Sequence, residues 1–137
     1  MRDADPGIII GLPEMDAQHA YLYRLFALLE DGSRVADPDR TKRLLVEIER
    51  YLHFHFTSEE HLMRCYLYPE FGAHQTDHEA AGGRFLRFLD DFDAGILNPA
   101  AAKLFLHGWL SEHGRTADTA YVSWIERRRS EAGVTPG

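Results

Sequence analysis

Apolar residues recur along this chain at three- and four-residue intervals in four separate stretches. Leu22, Tyr23, Phe26 and Leu29 mark one face of the first. Leu45, Ile48, Leu52 and Leu62 mark the second, Ala81, Phe85, Phe88 and Phe92 the third, and Leu106, Trp109, Ala117 and Tyr121 the fourth. That interval is helical. Turn and cap residues set the limits. The first helix is predicted from about Asp16 to Asp31, stopped by Gly32-Ser33. Asp37-Pro38, a cap residue followed by a proline suited to the first helical position, opens the second, which runs to about Cys65. Tyr68-Pro69 marks a break. The third runs from about Glu70 to Ala94 and ends at Gly95. Asn98-Pro99 repeats the opening signal for a fourth that reaches about Ser130. No stretch alternates with period two, so no sheet is predicted. Four long helices with short connections imply an all-α fold, an up-down-up-down antiparallel four-helix bundle with an extended N-terminal lead-in. Residues 1–137 read as a single domain: lead-in over 1–15, bundle over 16–130, tail over 131–137.

The residues that interrupt the stripes carry the chemistry. His19 falls on the first stripe, His55 and Glu59 on the second, His74 and His78 on the third, and His113 on the fourth. Positions i and i+4 share a helix face, so Glu59 lies one turn from His55 and His78 one turn from His74. Burying a carboxylate or an unpaired imidazole among leucines is costly unless it is paired, hydrogen-bonded or bound to metal. One such histidine reads as a core imidazole satisfied by a carbonyl. Histidines on all four stripes, with an inward carboxylate, point instead to a cation that supplies the missing charge balance. Five histidines and at least one carboxylate exceed the four ligands of a tetrahedral zinc. No thiolate cluster exists for iron–sulfur chemistry. A pair of first-row metals at the bundle centre fits, and donor type alone leaves iron, zinc and manganese open. His53, His61 and His107 fall off the stripes and read as surface or boundary residues.

Composition narrows the classes. The formal net charge is -7, from 15 basic and 22 acidic residues. No nucleic acid partner is expected, since such chains grip phosphates with clustered Lys and Arg. The run Arg127-Arg128-Arg129 sits near a helix end, where the helix dipole favours it. No apolar run approaches the ~18 residues of a membrane span, so no membrane association is expected. The acidic N-terminus lacks the basic and apolar regions of a signal peptide, and Cys65 is the single cysteine. The expectation is a cytoplasmic protein. Cys65 reads as a buried small residue rather than a redox group.

The motifs together resemble the hemerythrin family, in its bacterial single-domain form. They are Met15-Asp16-Ala17-Gln18-His19, then His55-Phe56-Thr57-Ser58-Glu59-Glu60-His61-Leu62-Met63, Tyr68-Pro69, His74-Gln75-Thr76-Asp77-His78, Trp109-Leu110-Ser111-Glu112-His113, Asp118 and Tyr121. The order is His, His-x3-Glu, His-x3-His, His-x4-Asp, and it spans residues 15–121. The resemblance implies two iron ions bridged by an oxo or hydroxo group and by Glu59 and Asp118. His74, His78 and His113 hold one iron, which is coordinatively full. His19 and His55 hold the other, which keeps a position open for dioxygen or a small anion. In the family, dioxygen binds end-on there and takes two electrons from the pair. By residue-wise match, the walls of the ligand pocket are Leu22, Phe56, Trp109 and Leu110; dry walls disfavour charge separation and proton entry. Asp118 lies five residues beyond His113, about 140° round an ideal helix. A π-bulge between them is therefore predicted.

Some features depart from the family. Its residue after the last histidine ligand is usually a bulky aliphatic; here it is Gly114, which implies a larger or wetter pocket. The family's N-terminal tryptophan is missing, and Ile8, Ile9 and Ile10 are placed to cover that end of the bundle. Gly82-Gly83 in the third helix suggests close packing or a bend. The functions in view are a protein that stores, delivers or senses dioxygen, an enzyme with peroxidase, oxidase or nitric-oxide-reducing activity, and the oxygen- or redox-sensing input domain of a signalling protein. Binding without catalysis leads, because no proton donor is evident among the pocket residues; Tyr23 and Tyr121 are the nearest candidates. The sequence names no protein partner.

Overall fold

The computed structural model describes residues 12–31 and 37–131. The lead-in before Leu12, with Ile8, Ile9 and Ile10, the Gly32-Ser33 stop and the tail beyond Glu131 lie outside the described residues. Helix α1 spans Pro13–Asp31, α2 Pro38–Cys65, α3 Phe71–Asp93, and α4 Pro99–His113. The fourth rod continues through a five-residue π-helical turn, Gly114–Asp118, into α5, Thr119–Glu131. No strand occurs among the described residues.

The caps form as the sequence predicts. Asp37 accepts a hydrogen bond from the Arg40 amide, and Asn98 accepts one from the Ala101 amide, each ahead of a proline. α1 starts three residues earlier than expected, so the lead-in does not extend to Met15. The Leu12 carbonyl accepts from the amides of Met15 and Asp16, and Pro13 takes the first helical position. Gly95 ends α3 at φ 77°, with Ile96 N–H donating to the Asp91 carbonyl across the turn. The end of α2 has the same wrapping, Tyr68 N–H to the Met63 carbonyl, but the left-handed residue there is Leu67, at φ 56°. α3 runs unbroken through Gly82 and Gly83. A Cβ at either would meet nothing within 4 Å, so neither glycine is there for close packing.

Two apolar clusters form the core, and a polar layer divides them. One holds Leu22, Phe26 and Leu29 of α1, Leu45, Ile48 and Leu52 of α2, Phe85 and Phe88 of α3, and Leu106 and Leu110 of α4. The other holds Leu12, Met15, Met63, Tyr121, Val122 and Ile125. Along α1 the second cluster comes first, then His19, then the first cluster. Along α2 the order reverses, with Leu45 to Leu52, then His55 and Glu59, then Met63. α3 reverses it again, and the fourth rod once more. The alternating order of layers is the up-down-up-down topology. α1 packs against α2 and α4, and α2 against α3; the α3–α4 seam is looser than these.

One stripe differs from the simple helical reading. On the fourth rod Leu110 and Asp118 are buried, whereas Trp109 and Ala117 are half-buried. The π turn adds a residue to the winding and rotates Asp118 inward in place of Ala117. Cys65 also departs from expectation. It is exposed at the last residue of α2, its Sγ 3.7 Å from His61 Nε2, because the buried face there passes through Met63.

Candidate metal centre

The seven residues singled out from the sequence all lie in the polar layer. His19, His55, Glu59, His74, His78, His113 and Asp118 are each 4% exposed or less, so water cannot solvate them. They fall into two groups of converging donors. One comprises Glu59, His74, His78 and His113; the other His19, His55, Glu59 and Asp118. Within the first, His113 Nε2 lies 2.9 Å from His74 Nε2 and 3.2 Å from His78 Nε2. Within the second, His19 Nε2 lies 3.1 Å from His55 Nε2. Two ligands at right angles about a cation, with bonds of ~2.1 Å, stand ~3 Å apart. The ring nitrogens thus have the spacing of ligands sharing a metal.

The carboxylates straddle the groups. Glu59 Oε1 lies 2.7 Å from His74 Nε2 and 3.0 Å from His78 Nε2, while its Oε2 lies 3.6 Å from His55 Nε2. Asp118 Oδ1 lies 3.0 Å from His74 Nε2 and 3.1 Å from His113 Nε2, and its Oδ2 lies 3.4 Å from His19 Nε2. Each carboxylate offers one oxygen to each group. Glu59 Oε2 and both Asp118 oxygens have no hydrogen-bond partner. Nitrogens approach them, but without an aligned N–H. Buried carboxylate oxygens left so are costly, and a cation between the donors removes that cost. The donor set fits a binuclear metal site.

Electrostatics agree. Burial pushes the His55 imidazole down to about 4, against the pull of Glu59. Burial also works to lower His113, yet Asp118 and Glu59 outweigh it and hold that imidazole up at about 10. Burial and the neighbouring Glu59 work to raise Asp118, but His113, His19 and His74 bring it down to about 2. Cations bound among these donors would displace the protons held on the imidazoles.

A second ring of residues, which the sequence reading left without a role, clasps the histidines from outside. Gln18 on α1 takes His55 Nδ1 on α2 at 2.7 Å; Glu60 on α2 takes His78 Nδ1 on α3 at 2.8 Å; Asp77 on α3 takes His113 Nδ1 on α4. Each partner belongs to the rod before the histidine it holds. An acceptor at Nδ1 puts the proton there and leaves Nε2 free to bind metal. The only signal for them in the sequence is adjacency: each stands next to a ligand on its own helix. His53 is exposed, and His107 is half-buried with its ring 4.8 Å from that of Tyr23, both as expected.

Residues 11–125 match the family described as hemerythrin HHE cation binding domain. The chain belongs to the hemerythrin family. The bacteriohemerythrin of Pseudomonas paraeruginosa is 29% identical over 121 residues, 88% of this chain and 79% of that one. That of Aquifex aeolicus is 30% identical over 103 residues, 72% of this chain and 78% of its own. A wild-type hemerythrin crystal structure superposes with a TM-score of 0.74 at 26% identity, over 80% of this chain and 85% of the other. Family membership implies a di-iron, oxygen-binding protein.

The expected walls of the ligand pocket, Leu22, Phe56, Trp109 and Leu110, lie in or against the first apolar cluster. Leu22 and Leu110 are buried in the first apolar cluster. The Phe56 ring stacks on His78 at 4.2 Å, and the Trp109 indole stacks on His113 at 4.6 Å. Gly114 is buried at the start of the π turn with ordinary helical dihedrals, so its glycine is not a conformational requirement. Its carbonyl accepts both the Thr119 amide of the π turn and the Thr119 hydroxyl, the latter at 2.8 Å.

Proposed function

We propose that this protein binds dioxygen reversibly at a centre of two iron ions. The observation that carries the reading is the division of Glu59 and Asp118, one oxygen of each towards His74, His78 and His113 and one towards the His19 and His55 side. His74, His78 and His113, one oxygen from each of Glu59 and Asp118, and a bridging oxo or hydroxo group would complete six ligands at one iron. Two imidazoles, the other oxygen of each carboxylate and the shared oxo or hydroxo group would make five at the other, leaving one position for dioxygen or a small anion. The iron pair, when bound, supplies two electrons to that ligand.

The protein's own residues do the rest. Gln18, Glu60 and Asp77 fix the imidazole tautomers. Leu22, Phe56, Trp109 and Leu110 exclude water and protons from the open position. No described helix is long and apolar enough to cross a membrane, and we place the protein in the cytoplasm, acting there to store, deliver or sense dioxygen. The test is optical. Reduced protein exposed to air gains a visible charge-transfer band, which argon removes through several cycles. A band that decays in one cycle, with turnover of peroxide and a reductant, would favour an enzyme instead.

A further inference from the structure

Two residues that touch His113 also wall a surface cleft. Asp77 holds its Nδ1, and the Trp109 indole lies flat against its ring, 15° from parallel. Both line a cavity of about 490 Å³ in the loose seam between α3 and α4. Small residues line it: Ala80 and Ala81 are walls, and a Cβ at Gly83 would meet nothing within 4 Å. Arg84 and Arg87 stand at the far end, with Glu79 also on the lining. Neither guanidinium pairs with a carboxylate among the described residues. The Arg84 guanidinium lies over Phe88 and Phe105, at 5.7 and 5.0 Å from their ring centres. In a chain of net charge -7, two unpaired cations at one mouth are a local exception.

We propose that this cleft docks a planar anionic reductant, a reduced flavin carrying a phosphate, and passes its electrons to the metal centre. The inference rests on the two-iron reading above. Arg84 and Arg87 take the phosphate, as guanidinium groups do. Phe105 and Trp109 line the cleft with aromatic surface for the ring system, and the volume lies within the range of small-molecule sites. The flavin hydroquinone gives up two electrons and two protons and leaves as oxidised flavin. Each of two ferric ions takes one electron and becomes ferrous, and the protons pass to water at the cleft mouth. Trp109 stacked on His113 is the contact through which the electrons travel. The reaction restores the ferrous pair after autoxidation.

Flavin mononucleotide titrated into the purified protein tests docking, followed by flavin fluorescence. Reduction of the ferric protein is then timed with reduced flavin mononucleotide and, separately, with the reduced methyl viologen cation. Two variants serve: Arg84→Glu with Arg87→Glu, which reverses the charge, and Gly83→Phe, which fills the space. Flavin affinity and flavin-driven reduction each fall about tenfold or more in the charge-reversed protein, the order expected when two charges facing an anion change sign. Viologen reduces it at least as fast as before, and iron content stays the same. Absence of flavin binding to the unaltered protein, or reduction rates indifferent to the charge reversal, would overturn the proposal. Protein that holds no iron pair sinks the two-iron reading instead, and flavin binding, which needs no iron, still decides the cleft.

Discussion

His113 Nε2 lies 3.1 Å from Asp118 Oδ1, although five positions separate the two residues along one rod. An unbroken α-helix would turn them about 140° apart. The π turn Gly114–Asp118 absorbs the difference, so that α4 and α5 both keep their apolar faces on the core while both ligands face the centre. Asp118 serves both donor groups in this arrangement, and its loss is felt by both. We expect Asp118→Ala to retain the helical circular dichroism of the parent and to bind well below two irons per chain by metal analysis. Full iron loading in that variant would deny the carboxylate its role.

Gly114 begins that turn where the family usually carries a bulky aliphatic. Its backbone is right-handed helical, so a larger side chain strains nothing at φ. Gly114→Ile is expected to slow autoxidation severalfold, by placing an apolar group in the wall and keeping water out. The measure is the decay of the oxygenated band under air; an unchanged rate would show that neighbouring side chains already seal the pocket.

Six of the seven candidate donors and the four rods were legible in the sequence because each leaves a periodic mark; Asp118, off the stripe, entered through the family resemblance. An imidazole or carboxylate on a leucine stripe is conspicuous, and Asp37-Pro38 and Asn98-Pro99 announce their helices. The five-residue step to Asp118 betrayed the π turn, yet the stripe itself was read through it in α-helical register, which put Ala117 inward. Gln18, Glu60 and Asp77 left no periodic mark. Each acts on a histidine of the next rod, and only the packing of rods decides which flanking side chain reaches across. Cys65 was misjudged for a similar reason: two positions beyond Met63, it has turned away from the core.

Leu67 holds a left-handed conformation at the end of α2, where its side chain is 71% exposed. A non-glycine residue there costs about 1 kcal/mol, and its side chain gains little from burial. Leu67→Gly should raise the unfolding free energy by up to about that amount, less the larger backbone entropy of glycine in the unfolded chain. Chemical denaturation of the metal-free protein measures it; a clear loss of stability would mean that Leu67 makes contacts of more value than its strain.

Stability should depend on pH differently with and without metal. In the metal-free protein burial works to lower His113, but Asp118 and Glu59 raise it to about 10. An imidazole raised in the folded state adds stability that is complete below its unfolded value of about 6.5 and is lost as pH climbs towards the folded one. Metal-bound imidazoles carry no such proton. The melting temperature of metal-free protein should therefore fall between about pH 6.5 and pH 10, and the gap to the loaded protein should widen. Parallel melting curves across that range check it, and a constant gap would contradict it.

Anomalous diffraction from crystals of the loaded protein, collected at the iron absorption edge, reaches the central point most directly. The account predicts two iron peaks roughly 3–4 Å apart, one beside His74, His78 and His113, the other beside His19 and His55, with Glu59 and Asp118 touching both. A single peak with four ligands, or iron found away from these side chains, would contradict it.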